Sequence, residues 1–346
     1  MKFSLFFFAN GDEPAEQYRL LLEAAQFADS EGFSAVWTPE RHFHPFGAPF
    51  PNPSVTAAAV AATTRRVDIR AGSVVLPLHD PLRVAEEWAM VDRISGGRAG
   101  VALASGWNPD DFVLAPGHFE NRKSMLWDSA ADLATLWSGG TVRRKGPDGT
   151  ERSVGTYPRP QRGGLPVWIT AAGSEATFAR AGEQGHGILT HLLGQSWEEL
   201  EDNLAVYGEA LGEAGHGVEQ ERISVMLHSF VTRDEDQALN AARGPLTRYM
   251  RSSMKLFDVT APVPGTAGTT EEMDEALSEL LEHTYREYAS TRCLIGSPDS
   301  CLPLVERLAE LGVDEVACLI DFGIDTDDVL ASLKYLSRLK ARCSAL

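Results

Sequence analysis

Short apolar runs alternate with longer amphipathic segments along almost the whole chain of 346 residues. The runs have the length of buried strands, and the segments between them space their apolar residues as helices do. Eight such runs occur, at residues 3–8, 35–38, 67–76, 98–104, 165–170, 187–190, 222–231 and 315–320. This alternation predicts an α/β fold, a (β/α)8 TIM barrel with insertions, formed by residues 1–346 as a single domain.

The alternative arrangement, an open doubly wound sheet, would favour a Gly-x-Gly-x-x-Gly turn after the first strand. Here Asn10-Gly11-Asp12 leads directly into a helix, so the barrel is the better interpretation. Two segments interrupt the alternation. Residues 139–164, rich in Gly, Arg and Pro, predict an excursion such as a hairpin. Residues 255–290 form a second insertion, and its first part, 255–274, is a candidate lid.

Charge and cysteine content argue against several classes of protein. A formal net charge of −18 disfavours binding to nucleic acid or to an anionic membrane, which need clustered Lys and Arg. No apolar run approaches the roughly 20 residues of a membrane span. The four cysteines lack CxxC spacing, so neither a metal site nor a disulfide framework follows. We expect reduced thiols in a cytoplasmic protein.

The most informative motif is Glu40-Arg41-His42, in the loop after the second predicted strand. In a TIM barrel the loops at the carboxyl ends of the strands build the active site. A carboxylate, a guanidinium and an imidazole in one such loop can hold an anion, move a proton and orient one another. The simpler alternative is a solvated polar loop with an Arg–Glu ion pair.

A second candidate site follows the fifth strand, where Gly173, Ser174 and Thr177 lead into a helix. Glycine allows close backbone approach, and hydroxyls and free amides at a helix N-terminus bind phosphate without net positive charge. The alternative is an ordinary helix cap at Ser174.

Small residues also follow the third and fourth strands. Gly72-Ser73 lets the backbone run close to a planar ligand, although a strand glycine at a bend has the same signature. Ser105-Gly106 opens space beside Trp107, which is either an aromatic wall or a cap on the barrel.

His191 and Gln195 follow the sixth strand. A histidine at a strand end is a site candidate, although a lone histidine is more often structural. All these loops fall at the same end of successive strands, so they predict one pocket with acid–base groups, an aromatic wall and a phosphate seat. This combination suits a flat phosphorylated cofactor such as FMN.

These motifs resemble the bacterial luciferase-like family of flavin-dependent monooxygenases, and the similarity covers nearly the whole chain. The marks of the family are Met1-Lys2-Phe3, Val36-Trp37, Glu40-Arg41-His42-Phe43, Asn52-Pro53, Val75-Leu76-Pro77, His79-Asp80-Pro81-Leu82-Arg83, Ser95-Gly96-Gly97-Arg98, Pro166-Val167-Trp168 and Ile295-Gly296-Ser297-Pro298. A subgroup found in natural-product pathways is resembled in Pro39-Glu40-Arg41-His42-Phe43, His191-Leu192-Leu193-Gly194-Gln195 and Cys318-Leu319-Ile320-Asp321-Phe322.

The resemblance implies a two-component monooxygenase. A separate flavin reductase would supply reduced FMN, which reacts with O2 to give a C4a-(hydro)peroxyflavin and oxygenates a small-molecule or carrier-tethered natural-product intermediate. By position, Ser174 and Thr177 would hold the FMN phosphate, with Ser105 nearby. Gly72-Ser73 matches the place where the family often has a non-prolyl cis peptide against the flavin ring.

Two departures from bacterial luciferase bear on the chemistry. Its Glu-His-His-Phe motif reads Glu-Arg-His-Phe here, so Arg41 replaces its catalytic first histidine. Its reactive cysteine and its phosphate-contacting arginine are replaced by Ala104 and Ser105, which argues against light emission from aldehydes.

These departures change the expected catalytic roles. We expect His42 to handle protons near the flavin, with Arg41 and Glu40 orienting it or the substrate. Arg41 would bind either a substrate carboxylate or a flavin anion. His191 and Gln195 would line the pocket.

The resemblance leaves alternatives open. The same superfamily contains deazaflavin-dependent oxidoreductases and non-catalytic flavin-binding homologues of luciferase. The helices at 54–64 and 82–94 would form a homodimer face, or else be buried in the barrel wall. A carrier protein, itself acidic, would need a local basic patch such as Arg143, Arg144 and Lys145.

Overall fold

The computed structural model describes residues 1–8, 14–44, 49–217, 220–256 and 285–344. Within these ranges the strands are β1 (Lys2–Phe6), β2 (Ala35–Thr38), β3 (Asp68–Val75), β4 (Ala99–Ala104), β5 (Val142–Lys145), β6 (Glu151–Val154), β7 (Val167–Thr170), β8 (Gly187–His191), β9 (Ile223–Val231), β10 (Leu294–Gly296) and β11 (Glu315–Leu319). Eight of them pair in parallel in the order β1-β2-β3-β4-β7-β8-β9-β11, and β11 returns to β1. The predicted (β/α)8 TIM barrel is therefore confirmed.

Helices alternate with the barrel strands. They are α1 (Pro14–Glu31), α2 (Pro53–Thr63), α3 (Pro81–Ser95), α4 (Arg122–Trp137), α5 (Glu175–Glu183), α6 (Trp197–Glu213), α7 (Glu235–Leu256), α8 (Pro298–Glu310) and α9 (Thr326–Arg342), with a further helical stretch at 285–292. Among the described residues, no helix is long and apolar enough to cross a membrane.

Local sequence signals fix several helix ends. Asn52 begins α2 by accepting hydrogen bonds from two amides of the first turn, and Asp80 accepts one at the start of α3. Gly96 ends α3 in the left-handed conformation, with φ of 75°. Asn121 precedes α4, but its side chain makes no capping hydrogen bond.

Three features lie outside the simple alternation. β5 and β6 pair as an antiparallel hairpin within the excursion predicted at 139–164. The short strand β10 pairs with the end of β9, and the sequence analysis did not predict it. The candidate lid at 255–274 lies, from residue 257 onward, outside the described residues.

A buried polar cluster fills the barrel near the amino ends of its strands. The Arg70 guanidinium lies 4.9 Å and 4.5 Å from the ring centres of Trp37 and Trp168. Its Nη1 donates to both carboxylate oxygens of Glu315 at 3.0 Å, and Ser4 Oγ donates to the same carboxylate at 2.7 Å. Burial acts to raise the pKa of Glu315, but Arg70 and the hydroxyl donors outweigh it and hold the pKa below its ordinary value. This cluster packs the barrel below the site described next.

Candidate active site

A cavity of about 780 Å³ opens at the carboxyl ends of the barrel strands. The ends of β1, β2, β3, β4, β7 and β8 line it, together with part of α7. A mainly apolar cavity of this size with a few convergent polar groups is typical of a small-molecule or cofactor site. The apolar lining includes Phe6, Phe8, Val75, Leu189, Leu193, Met226 and Met250.

The cavity brings together only part of the predicted site. The predicted residues that line it are Glu40, Arg41, Gly72, Ser73, Gly106, Trp107 and His191. Six predicted residues lie beside the cavity or behind its wall, namely His42, Ser105, Gly173, Ser174, Thr177 and Gln195.

Glu40 is the most constrained of the polar residues, with a side chain that is 0% exposed. Its Oε2 accepts a hydrogen bond from the Val75 amide at 2.7 Å. Its Oε1 accepts from Nε2 of His42 at 2.9 Å and from Nε2 of His79 at 2.5 Å. Burial acts to raise the pKa of Glu40, but the two imidazole hydrogen bonds outweigh it and lower the pKa. Glu40 is therefore a fixed anion that faces the cavity.

His79 is a candidate functional residue that the sequence analysis did not select. Its side chain is 30% exposed, so it connects the buried Glu40 carboxylate with solvent. Burial acts to lower the pKa of His79, but the hydrogen bond to Glu40 raises it more. The signal was present, because His79 is one of the residues that carry the family resemblance. The sequence does not show that His79, 39 positions from Glu40, hydrogen-bonds the same carboxylate oxygen as His42.

His42 does not line the cavity, but its Nε2 hydrogen-bonds the Glu40 carboxylate, which does. The expectation that His42 handles protons near the flavin stays a prediction. In the described ranges, no group of three or more His, Cys, Asp or Glu side chains is arranged to hold a metal ion.

Arg41 lies in the cavity wall between two aromatic rings. Its guanidinium is 5.0 Å from the Trp107 ring centre and 5.5 Å from the Phe8 ring centre. The side chain is 4% exposed, and its Nε and Nη2 make no hydrogen bond within the described part of the chain. Such a buried, incompletely paired cation is costly, and burial lowers its pKa.

Asp111 is the counter-ion of Arg41, but at a distance. Its Oδ2 lies 4.0 Å from Arg41 Nη1, beyond hydrogen-bonding range. Its Oδ1 accepts a hydrogen bond from the Asn108 amide at 2.8 Å. Burial raises the pKa of Asp111 above its ordinary value, although Arg41 and Asn108 act in the opposite direction.

The Gly72–Ser73 peptide bond is cis, as the family resemblance implied. A Cβ at Gly72 would lie 2.6 Å from the Phe6 ring, so only glycine fits here without displacing that ring. The Ser73 hydroxyl lies 2.5 Å from the Thr170 hydroxyl on the neighbouring wall. This part of the cavity therefore presents backbone and two hydroxyls rather than large side chains.

His191 lines the cavity, whereas Gln195 supports it from behind. Burial lowers the pKa of His191, so this ring is neutral at neutral pH. The Gln195 side-chain amide donates to the His191 carbonyl at 2.6 Å and to the Thr190 hydroxyl at 3.2 Å, and its oxygen accepts from Asn203. These bonds hold the loop after β8, which corrects the expectation that Gln195 lines the pocket.

The loop after β7 lies beside the cavity, which it joins through Ala172. Ser174 precedes α5, but its hydroxyl makes no capping hydrogen bond. The amides of Thr177 and Phe178 are already paired with the Ser174 carbonyl. The Ser174 hydroxyl and the first turn of α5 are therefore the groups that remain for an anion, while a role for Gly173 and Ser105 stays a prediction.

The sequence is similar to those of known monooxygenases. The family model described as luciferase-like monooxygenase matches residues 1–315. The oxygenase component of a flavin-dependent trigonelline monooxygenase from Acinetobacter baylyi is 25% identical over 343 residues, covering 96% of this chain and 93% of that protein. A 4-hydroxyprotoasukamycin monooxygenase from Streptomyces nodosus is 26% identical over 313 residues, covering 87% and 79%.

Among solved structures, a similar fold occurs in the oxygenating constituent of 3,6-diketocamphane monooxygenase from Pseudomonas putida, in complex with FMN. The TM-score is 0.77 at 19% identity, covering 99% of this chain and 98% of that one. At this identity the likeness concerns the fold alone.

Proposed function

Because this chain belongs to the luciferase-like monooxygenase family, we propose that it is the oxygenase component of a two-component FMN-dependent monooxygenase. As a member it is an enzyme of the flavin-dependent monooxygenase class. The proposal that it uses FMN in a two-component system rests on the cavity of about 780 Å³ at the carboxyl ends of the strands. Glu40, Arg41 and the Gly72–Ser73 bond lie in the wall of this cavity.

The residues present fit a flavin. The backbone at Gly72–Ser73 and the hydroxyls of Ser73 and Thr170 would hold the flat ring, where a larger residue at position 72 would collide with Phe6. The hydroxyls of Ser174 and Thr177 and the amides at the start of α5 that precede Thr177 would hold the phosphate. When bound, reduced FMN supplies the electrons with which one atom of O2 becomes water and the other enters the substrate.

The protein side of the chemistry rests on Glu40 and its two histidines. Glu40 remains an anion whose Oε1 holds His79 at 2.5 Å, and the partly exposed His79 would be the group that takes up or releases a proton beside the cavity. His42 holds the same oxygen from behind and fixes its position. The apolar lining excludes water from the reacting groups.

Three further proposals concern the partners of the protein and its location in the cell. A separate flavin reductase would supply the reduced FMN. The protein would be located in the cytoplasm. Val55, Met90 and Ile94 are 66%, 53% and 49% exposed on α2 and α3, and a second copy of the chain would cover them in a homodimer.

The predicted basic patch on the β5–β6 hairpin is largely neutralised. Arg144 pairs with Asp132 at 2.9 Å and lies 3.9 Å from Asp80, and Arg143 lies 3.6 Å from Glu151. This pairing leaves little positive charge for an acidic carrier protein. We therefore favour a free small molecule over a carrier-tethered intermediate as the substrate.

The test is an anaerobic titration of the purified protein with photoreduced FMN, followed by stopped-flow mixing with oxygenated buffer. We expect reduced FMN to bind and its reoxidation to differ in rate from that of free reduced FMN. Binding of a reduced deazaflavin in place of FMN would move the protein to the deazaflavin-dependent oxidoreductases. Binding of FMN with no effect on its reaction with O2 would indicate a non-catalytic flavin-binding homologue.

A further inference from the structure

We propose that Arg41 binds a carboxylate of the substrate through its Nε and Nη2, so that the substrate is an amphipathic acid with an apolar body. This inference rests on the proposed function, because it assumes that the cavity holds the molecule to be oxygenated. Of the two roles that the sequence left open for Arg41, the geometry favours the substrate.

Two nitrogens of Arg41, Nε and Nη2, lack a hydrogen-bond partner among the described residues. Nε and Nη2 form one edge of the guanidinium, and this edge matches the two oxygens of a carboxylate. The same edge of Arg19 holds a carboxylate oxygen of Glu16, at 3.0 Å from Nε and 2.7 Å from Nη2. Arg41 lines the cavity, and this edge of its guanidinium is buried in the wall without a partner among the described residues.

The guanidinium of Arg41 is fixed. Trp107 and Phe8 contact it at 5.0 Å and 5.5 Å from their ring centres, which restricts rotation of the guanidinium plane. Asp111 lies near the other end, at Nη1. A ligand that reaches this edge, after a small movement of the wall, meets a fixed donor edge and does not need to displace a protein carboxylate.

The cavity wall also holds carboxylates. Glu40 is already held by His42, His79 and the Val75 amide, and Asp111 by Asn108. Each of these carboxylates has its own donors. The donor edge of Arg41 is thus left for an anion that comes from outside.

Arg41 and the proposed seat of the flavin phosphate belong to different loops of the barrel. The proposed flavin seat runs from the end of β3 to the loop after β7, and the first turn of α5 provides for its phosphate. Arg41 follows β2 and contacts Phe8, after β1, and Trp107, after β4, so its guanidinium lies in the cavity wall and not in the loop proposed for the phosphate. Around it the lining is apolar, with Phe6, Phe8 and Met250, which suits a hydrophobic body beside the carboxylate.

The experiment compares two pairs of carboxylates and their neutral amides: benzoate with benzamide, and 4-phenylbutanoate with 4-phenylbutanamide. Binding to the full-length protein, with and without FMN, is measured by calorimetry. We expect the wild type to bind at least one carboxylate roughly 10-fold to 100-fold more tightly than its amide, as for a charge-assisted hydrogen bond. Arg41→Gln should abolish this preference, and Arg41→Lys should keep only part of it because lysine lacks the planar fork.

Arg144→Gln is the matched control, since it removes one arginine charge from a residue that does not line the cavity and should leave the preference unchanged. Circular dichroism and thermal unfolding verify that each variant is folded, and FMN binding is titrated separately. Equal affinity for acid and amide, no binding of either acid, or an unchanged preference in Arg41→Gln would each overturn the proposal. Loss of FMN binding in Arg41→Gln with the carboxylate preference retained would also overturn it. If the wild type binds no FMN but shows the Arg41-dependent preference, the anion site stands and the proposed monooxygenase function fails.

Discussion

Replacing Gly72 by alanine adds one methyl group where the barrel wall meets the cavity. The new Cβ would lie 2.6 Å and 2.9 Å from two carbons of the Phe6 ring and 3.1 Å from Trp37 Cβ. Trp37 is fully buried and packed on Trp168, so it cannot yield. Phe6 lines the cavity, so its ring is expected to swing into the space proposed for the flavin.

The magnitude follows from overpacking. Forcing one methylene into a well-packed wall costs roughly 1–3 kcal/mol of unfolding free energy. For a domain of this size, with an unfolding entropy of about 0.7 kcal/mol/K, that lowers Tm by about 1–4 °C. Because the displaced ring enters the cavity, FMN affinity should fall as well, and the loss of affinity should accompany the loss of stability.

A double-mutant cycle isolates the collision. Leucine at position 6 lacks the two ring carbons that the new methyl group would meet, so Gly72→Ala should cost at least about 1 kcal/mol less in a Phe6→Leu background. Gly117→Ala is the control, since a Cβ there meets no atom within 4 Å. Thermal and urea unfolding give the stabilities, and flavin fluorescence gives the affinities. Strictly additive costs, or an unchanged Tm for Gly72→Ala, would refute this account of the wall.

Three further predictions concern charge, association and phosphate. His79 has a raised pKa because Glu40 outweighs burial, so its stabilising contribution is complete below the unfolded-state pKa of about 6.5 and declines as pH rises through the folded value. The stability difference between wild type and His79→Gln in urea should therefore shrink as pH rises from about 6.5 through the folded-state pKa of His79, and a constant difference would contradict this. Met90→Asp should convert the proposed homodimer to a monomer in sedimentation velocity, and a monomeric wild type would exclude that interface. Ser174→Ala should weaken FMN binding by several fold while leaving riboflavin binding unchanged, and equal losses for both ligands would remove Ser174 from the phosphate site.

The sequence predicts the barrel well because strand and helix periodicities are local properties. Each barrel strand lies within one or two residues of its predicted position, and Gly96 and Asn52 act as helix signals, as their residue types indicate. β10 escaped prediction because a strand of three residues, Leu294–Gly296, carries no readable periodicity. It exists because β9 is long enough to pair beyond the barrel.

The sequence predicts which loops form the site, but it does not predict which of their side chains line the cavity. The sequence identified the Glu40-Arg41-His42 loop, yet only the backbone path after β2 decides that Glu40 and Arg41 face the cavity and His42 does not. Gln195 has the residue type of a pocket amide, but its hydrogen bonds with Thr190 and Asn203 belong to the loop. Such choices depend on contacts between distant segments, which a single sequence does not display.

The packed lower half of the barrel has a kinetic consequence. Arg70, Glu315, Trp37 and Trp168 leave no axial passage through that end, in the part of the chain that the structure describes. If the proposed function holds, cofactor and substrate share the entrance at the opposite end, and whichever of them lies deeper arrives first and leaves last. We expect a compulsory order of binding, in which an excess of the later molecule slows turnover by trapping the earlier one.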